Sequence, residues 1–136
     1  MLVSFPNGMV LDATGYTTEA NPNPPTWGLY LYEKWNPPWP FRYVPWPDFG
    51  VPEDPTDADR GILDVFSRAS SGESVQVGCH GGFGRTGTVL ACLAVLAGVE
   101  PDQAVGWVRQ HYSTRAVETP MQEEWVLGFA TRHGSR

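Results

Sequence analysis

The chain has 136 residues, 41% of them hydrophobic, a size that suits one domain with one core. Its net charge of −6 comes with a single lysine, Lys34, and no basic cluster, which excludes nucleic acid and anionic lipid as partners of a charged surface. No apolar run approaches the ~20 residues of a membrane span, so no membrane partner is expected. The two cysteines, Cys79 and Cys92, read as thiols rather than a disulfide frame. Because Met1-Leu2-Val3-Ser4-Phe5-Pro6-Asn7 lacks the features of a signal peptide, a cytoplasmic protein starting at its true N-terminus is expected.

In chain order, the apolar runs at 2–5 and 9–11 flank Pro6-Asn7-Gly8 and predict a hairpin. Most of the thirteen prolines and six tryptophans fall between Asn21 and Pro55, which predicts an ordered, aromatic-packed region with little regular structure. Within it, 28–32 and 41–44 are strand candidates. Thr56-Asp57-Ala58-Asp59 predicts a capped helix start, with Ile62, Leu63, Phe66 and Ala69 as its apolar stripe and Gly72 as its stop. Residues 74–78 predict a buried strand.

The run Val89-Leu90-Ala91-Cys92-Leu93-Ala94-Val95-Leu96 predicts a helix over 88–97 that must be buried on most sides. Pro101 opens a helix to about Tyr112 that carries Ala104, Val105, Trp107 and Val108, and Thr119-Pro120 opens a last one with Trp125, Val126 and Phe129. His111 and His133 are expected on solvated helix faces. Strand, loop and helix in succession predict an α/β fold, a single domain with a central sheet flanked by helices.

Between the strand and the apolar helix stands Cys79-His80-Gly81-Gly82-Phe83-Gly84-Arg85-Thr86-Gly87. A loop this poor in side chains can curl until several backbone N–H groups converge, and the following helix aims its positive end at the same point. That is a phosphate cradle. A cysteine at such a focus, beside a guanidinium, is a candidate nucleophile because the thiolate is the reactive form. Arg85 can hold two phosphate oxygens with its planar fork. The bland reading of Cys79 is an ordinary buried cysteine. A nucleotide-binding P-loop fails on spacing, since five residues separate Gly78 from Gly84 and arginine stands in place of lysine.

These residues resemble the signature of the cysteine-dependent protein phosphatases, the superfamily of protein-tyrosine and dual-specificity phosphatases: Cys, five residues, Arg, then Ser or Thr. Trp46-Pro47-Asp48-Phe49-Gly50-Val51-Pro52 resembles the mobile loop that carries that family's general acid. Arg115-Ala116-Val117-Glu118-Thr119-Pro120-Met121-Gln122 is similar to the segment that positions the hydrolytic water in some members. The resemblance covers about residues 42–130 and leaves the N-terminal segment 1–41 without an assignment. It implies a central mixed sheet flanked by helices and hydrolysis of a phosphomonoester through a phosphocysteine, with no metal and no cofactor.

In the roles so implied, Cys79 is the nucleophile and Asp48 the acid, with Trp46 and Pro47 bracing its loop. Arg85 and the backbone of His80, Gly81, Gly82, Phe83 and Gly84 bind phosphate, Thr86 assists the departing sulfur and Gln122 places water. Two of these have plainer readings. Thr86 can cap its helix, and Thr119-Pro120-Met121-Gln122 is also a capping box.

Glu118 stands where tyrosine-specific members often carry glutamine, and Gly78 where the family commonly has a histidine that orders the loop. The tyrosine-bearing pocket loop has no clear counterpart, though Tyr30, Tyr32 or Trp39 could serve. A phosphorylated protein is the expected partner of a monomer, with phosphotyrosine ahead of phosphoserine and phosphothreonine. The alternatives are a phosphotyrosine-binding module without turnover, or a phosphatase acting on a phosphoinositide or an RNA 5′-phosphate.

Overall fold

In the computed structural model, which describes residues 1–134, the N-terminal hairpin forms as the apolar runs require. Strand β1 (Leu2–Ser4) pairs antiparallel with β2 (Val10–Gly15), and Gly8 takes the positive φ of the turn, +90°. The Trp/Pro-rich region contributes two short strands, β3 (Trp27–Tyr30) and β4 (Phe41–Tyr43), each ending earlier than its apolar run suggests.

Helix α1 (Pro55–Ser70) follows. Its cap is Asp54 rather than Thr56, because the Asp54 carboxylate accepts the N–H groups of both Thr56 (3.1 Å) and Asp57 (3.3 Å) and lets Pro55 take the first position. Its buried stripe is Ala58, Ile62, Val65 and Ala69, so Leu63 and Phe66 only flank the core. Strand β5 (Val75–Cys79) includes the cysteine itself. Helix α2 (Gly84–Leu96) starts four residues before the predicted 88, inside the glycine-rich loop, and every residue of it except Leu96 is buried. A 3₁₀ turn (Pro101–Gln103), α3 (Ala104–His111), α4 (Pro120–Phe129) and a wide turn (Ala130–Gly134) complete the described chain. Among the described residues no helix is long and apolar enough to cross a membrane.

The sheet is mixed, in the order β1-β2-β5-β3-β4, with β2, β5, β3 and β4 mutually parallel. The last strand in sequence is thus inserted at the centre. Strand residues alternate between faces. Leu11, Ala13, Leu29, Val75 and Val77 join the main core with α1 and α2. The other face carries Asp12, Thr14, Tyr30, Gln76 and Gly78 and is roofed by the Trp/Pro-rich loops instead of a helix. Tyr30 is fully buried there: its hydroxyl donates to Gln76 (2.6 Å) and accepts from Trp39 Nε1 (2.8 Å), and Trp35 stacks on its ring at 4.5 Å. Trp35 also explains Gly78, since a Cβ at 78 would stand 2.5 Å from Trp35 Cζ3.

The C-terminal turn is pinned to α1. Arg132 donates twice to Asp59, at 2.7 and 2.9 Å, and His133 Nε2 lies 2.8 Å from the same carboxylate, so His133 is not on a solvated face. Burial works to raise the Asp59 carboxyl, but the hydrogen bonds and charges of Arg132 and His133 outweigh it and hold Asp59 below its ordinary value. A depressed folded-state value stabilises the fold above the unfolded value of about 3.9 and loses that stabilisation as pH falls through the folded one. Asp59→Asn is therefore expected to cost about 1–3 kcal/mol at pH 7, with the difference from wild type shrinking below about pH 4. Urea denaturation across that range measures it, and a deficit independent of pH would contradict the clamp.

Candidate active site

Because β2, β3, β4 and β5 are parallel, all four end on one edge, and open α/β sheets bind ligands beyond that carboxyl edge. Cys79 closes the central strand, so it lies at the middle of this edge with the ends of β2 and β3 on either side. It is only 2% exposed, and Gly82 donates its N–H to Cys79 Sγ at 3.2 Å. The loop that begins here lies on the end of β2. Gly82 has φ +81°, and a Cβ on it would come within 2.6 Å of Gly15 N. Tyr16 N–H donates to His80 O at 3.0 Å, while the exposed His80 ring lies 4.9 Å from Tyr32.

Tyr112, which follows α3 directly, donates its hydroxyl to Gly82 O at 2.5 Å and so holds from the carbonyl side the residue whose N–H faces the sulfur. Burial, then the charges of Cys79 and Asp12, push the Tyr112 hydroxyl up to about 12, which keeps it a neutral donor. No side chain caps the start of α2, so its first N–H groups are open to an anion. Thr86 is consequently not a cap. It lies in the first turn, fully buried, and its hydroxyl has no hydrogen-bond partner among the described residues.

Arg85 is 4% exposed, and its Nη1 donates to two backbone carbonyls, Leu31 O after β3 and Trp46 O after β4, both at 2.9 Å. Its Nε is buried without a hydrogen-bond partner among the described residues, with Asp48 Oδ1 3.6 Å away. A buried guanidinium held by carbonyls leaves a positive charge that an anion can neutralise. The 46–50 loop closes on itself: Trp46 Nε1 donates to Gly50 O (2.7 Å), Gly50 N–H to Pro47 O (3.0 Å), and Phe49 N–H to Asp48 Oδ1 (3.0 Å). Phe49 pays for this geometry with φ +61°.

Across from that loop the 115–118 segment rests on α2 at Gly87, where a Cβ would meet Ala116 Cβ at 2.6 Å. Val117 holds φ +61°, a strained value for a β-branched residue that costs about 1–3 kcal/mol. Arg109 secures the strained peptide by donating to Ala116 O (2.9 Å) and Val117 O (2.7 Å). Gln122 is fully buried: it accepts the Glu118 N–H (2.8 Å) and donates to Gly50 O (3.1 Å), while its own N–H caps on Thr119 (3.2 Å).

These parts enclose a pocket of about 210 Å³ whose lining includes Asp48, Cys79, His80, Gly81, Phe83 and Gly84 from the sequence reading, joined by Phe49, Arg115 and Glu118. The Arg115 guanidinium covers the Phe83 ring at 4.2 Å, and the Glu118 carboxylate occupies the space a side chain at Gly84 would need. Tyr30 and Trp39 do not serve this pocket, because they are spent on the hydrogen-bonded roof of the sheet's other face. Of the aromatic candidates only Tyr32 approaches the cradle. Tyr112 and Arg109 escaped the sequence reading. Arg109 sits on α3 and Tyr112 directly follows it, and the pattern of that helix shows only its apolar face.

A family model described as the Swiss Army Knife protein, DSP-PTPase phosphatase domain (PTP-SAK), matches residues 34–130. An uncharacterized protein of Methanocaldococcus jannaschii is 45% identical over 92 residues, covering 66% of this chain and 59% of its own length. The human receptor-type tyrosine-protein phosphatase C is 35% identical over 91 residues, 63% of this chain and 7% of that protein. Among solved structures, the crystal structure of Tk-PTP in the active form superposes with a TM-score of 0.69 at 25% identity, over 79% of this chain and 80% of the other. The chain thus spans a little over half the length of the archaeal relatives it matches.

Gly82→Ala tests the cradle. A side chain there meets backbone at Gly15 and strains φ, so the loop must give way and its N–H groups disperse. Binding of vanadate or tungstate, read by calorimetry, is expected to weaken by at least about tenfold, with helix content by circular dichroism unchanged.

Proposed function

Because this chain belongs to the DSP-PTPase family of dual-specificity and protein-tyrosine phosphatases, we propose that it hydrolyses phosphotyrosine on proteins, with phosphoserine and phosphothreonine as lesser substrates, through a phosphocysteine intermediate. The observation that carries the reading is Arg85: a buried cation, fixed by two loops beside Asp48, with an N–H that has no acceptor. Cys79 Sγ attacks phosphorus as the thiolate, forming the S–P bond while the P–O bond to the leaving group breaks, and Asp48 in its acid form protonates the departing oxygen. The N–H groups of residues 80–85 and the Arg85 guanidinium bind the equatorial oxygens, most tightly as charge spreads in the transition state. In the second step Asp48 takes a proton from water, water attacks phosphorus, and the sulfur leaves as thiolate with the unpartnered Thr86 hydroxyl available to donate to it.

The pocket walls support a substrate with one phosphate. No lysine lines them, the Arg115 guanidinium on the wall covers the Phe83 ring, and the Glu118 carboxylate opposes a second anionic group, which disfavours inositol phosphates and RNA 5′-triphosphates. Phe49, 58% exposed, offers an apolar edge to an aromatic ring.

Asp48→Ala is expected to lower kcat/KM about 10²–10⁴-fold on phenyl phosphate and far less on an ester with a good leaving group. An unchanged rate on phenyl phosphate would reduce Asp48 to a turn residue.

Cys79→Ser should keep vanadate binding while losing turnover, since the cradle is built from backbone and serine is not ionised near neutrality. Hydrolysis by the serine variant at about a tenth of the wild-type rate or more would assign the nucleophile elsewhere.

A further inference from the structure

We propose that Gln122 is a latch that holds the acid loop over the pocket, a positioning residue for Asp48 rather than the holder of the hydrolytic water. The inference rests on the role given to Asp48 above. Gln122 is fully buried, which withdraws its amide from bulk water. Its two ends are committed elsewhere. The carbonyl oxygen accepts from Glu118 N–H at 2.8 Å, which ties it to its own helix start, and Nε2 donates at 3.1 Å to Gly50 O, 72 residues away in sequence.

Gly50 O is the keystone of the acid loop, since Trp46 Nε1 donates to the same oxygen at 2.7 Å. Asp48 therefore lies between two fastenings: Arg85 grips Trp46 O on one side, and Gln122 grips Gly50 O on the other. One turn along α4, Trp125 packs its ring against Trp46 at 5.2 Å, so the same helix face that carries Gln122 also seats the loop's indole. A carbonyl that takes two donors, one from inside the loop and one from a helix outside it, couples the loop's internal shape to its position.

Two variants separate the roles. Gln122→Met keeps the volume and removes both hydrogen bonds, whereas Gln122→Glu keeps the acceptor for Glu118 N–H and sets a carboxylate against Gly50 O. A latch predicts that kcat/KM on phenyl phosphate falls roughly five- to tenfold, the shift that one net hydrogen bond supplies. The fall should be smaller for good leaving groups, so that the leaving-group dependence steepens toward that of Asp48→Ala. A water holder predicts the opposite pattern: kcat/KM unchanged, kcat reduced, and a stoichiometric burst of phenol with phosphocysteine accumulating. A merely structural role lowers the melting temperature and reduces all esters alike. Either of the last two patterns overturns the proposal.

A measurement on the wild-type protein needs neither a folded variant nor turnover. In NMR spectra the Gln122 side-chain amide protons should show a cross-peak to the Trp46 indole N–H and exchange slowly with solvent, and their absence would refute the latch. Failure of the phosphatase reading is distinct, because it appears as a wild-type protein without turnover, or as Asp48→Ala without a leaving-group effect.

Discussion

The site is organised around the desolvated guanidinium of Arg85. Two carbonyls from separate loops, Leu31 O and Trp46 O, share one of its nitrogens, so the ends of β3 and β4 are registered against the first turn of α2. Burying a cation is costly unless hydrogen bonds and a counter-charge compensate it. Here the carbonyls supply part of that compensation, and Asp48 stands 3.6 Å from the guanidinium on its open side. The 46–50 loop and the glycine-rich loop are thereby set against each other by one side chain.

Strain is concentrated on the loops that face each other across the pocket. Phe49 and Val117 both hold left-handed backbone, and each has a clamp: the Trp46–Gly50 ring for the first, Arg109 for the second. Backbone in such regions persists only where surrounding contacts over-determine it. Gly82 is the third such point, with Tyr112 on its carbonyl and Cys79 Sγ on its N–H. Ordering of this kind fixes the direction of the loop N–H groups before any ligand arrives.

The sheet's second face shows how the Trp/Pro-rich region bears on the chemistry. Trp35 fills the room over Gly78, so a side chain before Cys79 would have to displace it, and the loop is ordered instead by Gly82, Tyr16 and Tyr112. Tyr30 and Trp39, which could have deepened the substrate pocket, are consumed in roofing this face. The family match begins at residue 34, so Trp35 and Trp39 fall inside it while Tyr30 and the hairpin precede it.

The amino-acid sequence by itself determined the elements whose signals are local. The hairpin followed from apolar runs around a Pro-Asn-Gly turn, α2 from its continuous apolar stretch, and the strand-to-helix loop from the glycines between Cys79 and Arg85. Boundaries slipped where a capping side chain or a glycine-rich loop could extend an element, as at Asp54 and Gly84. Only the tertiary structure decided which face of the sheet received Trp35, that Asp59 would meet Arg132 and His133, and that Gln122 would reach Gly50. Such contacts join residues tens of positions apart, and nothing in a 2.0- or 3.6-residue period records which distant partner a buried polar group will find. The need for a partner is legible in a sequence, but the partner's identity is settled by packing.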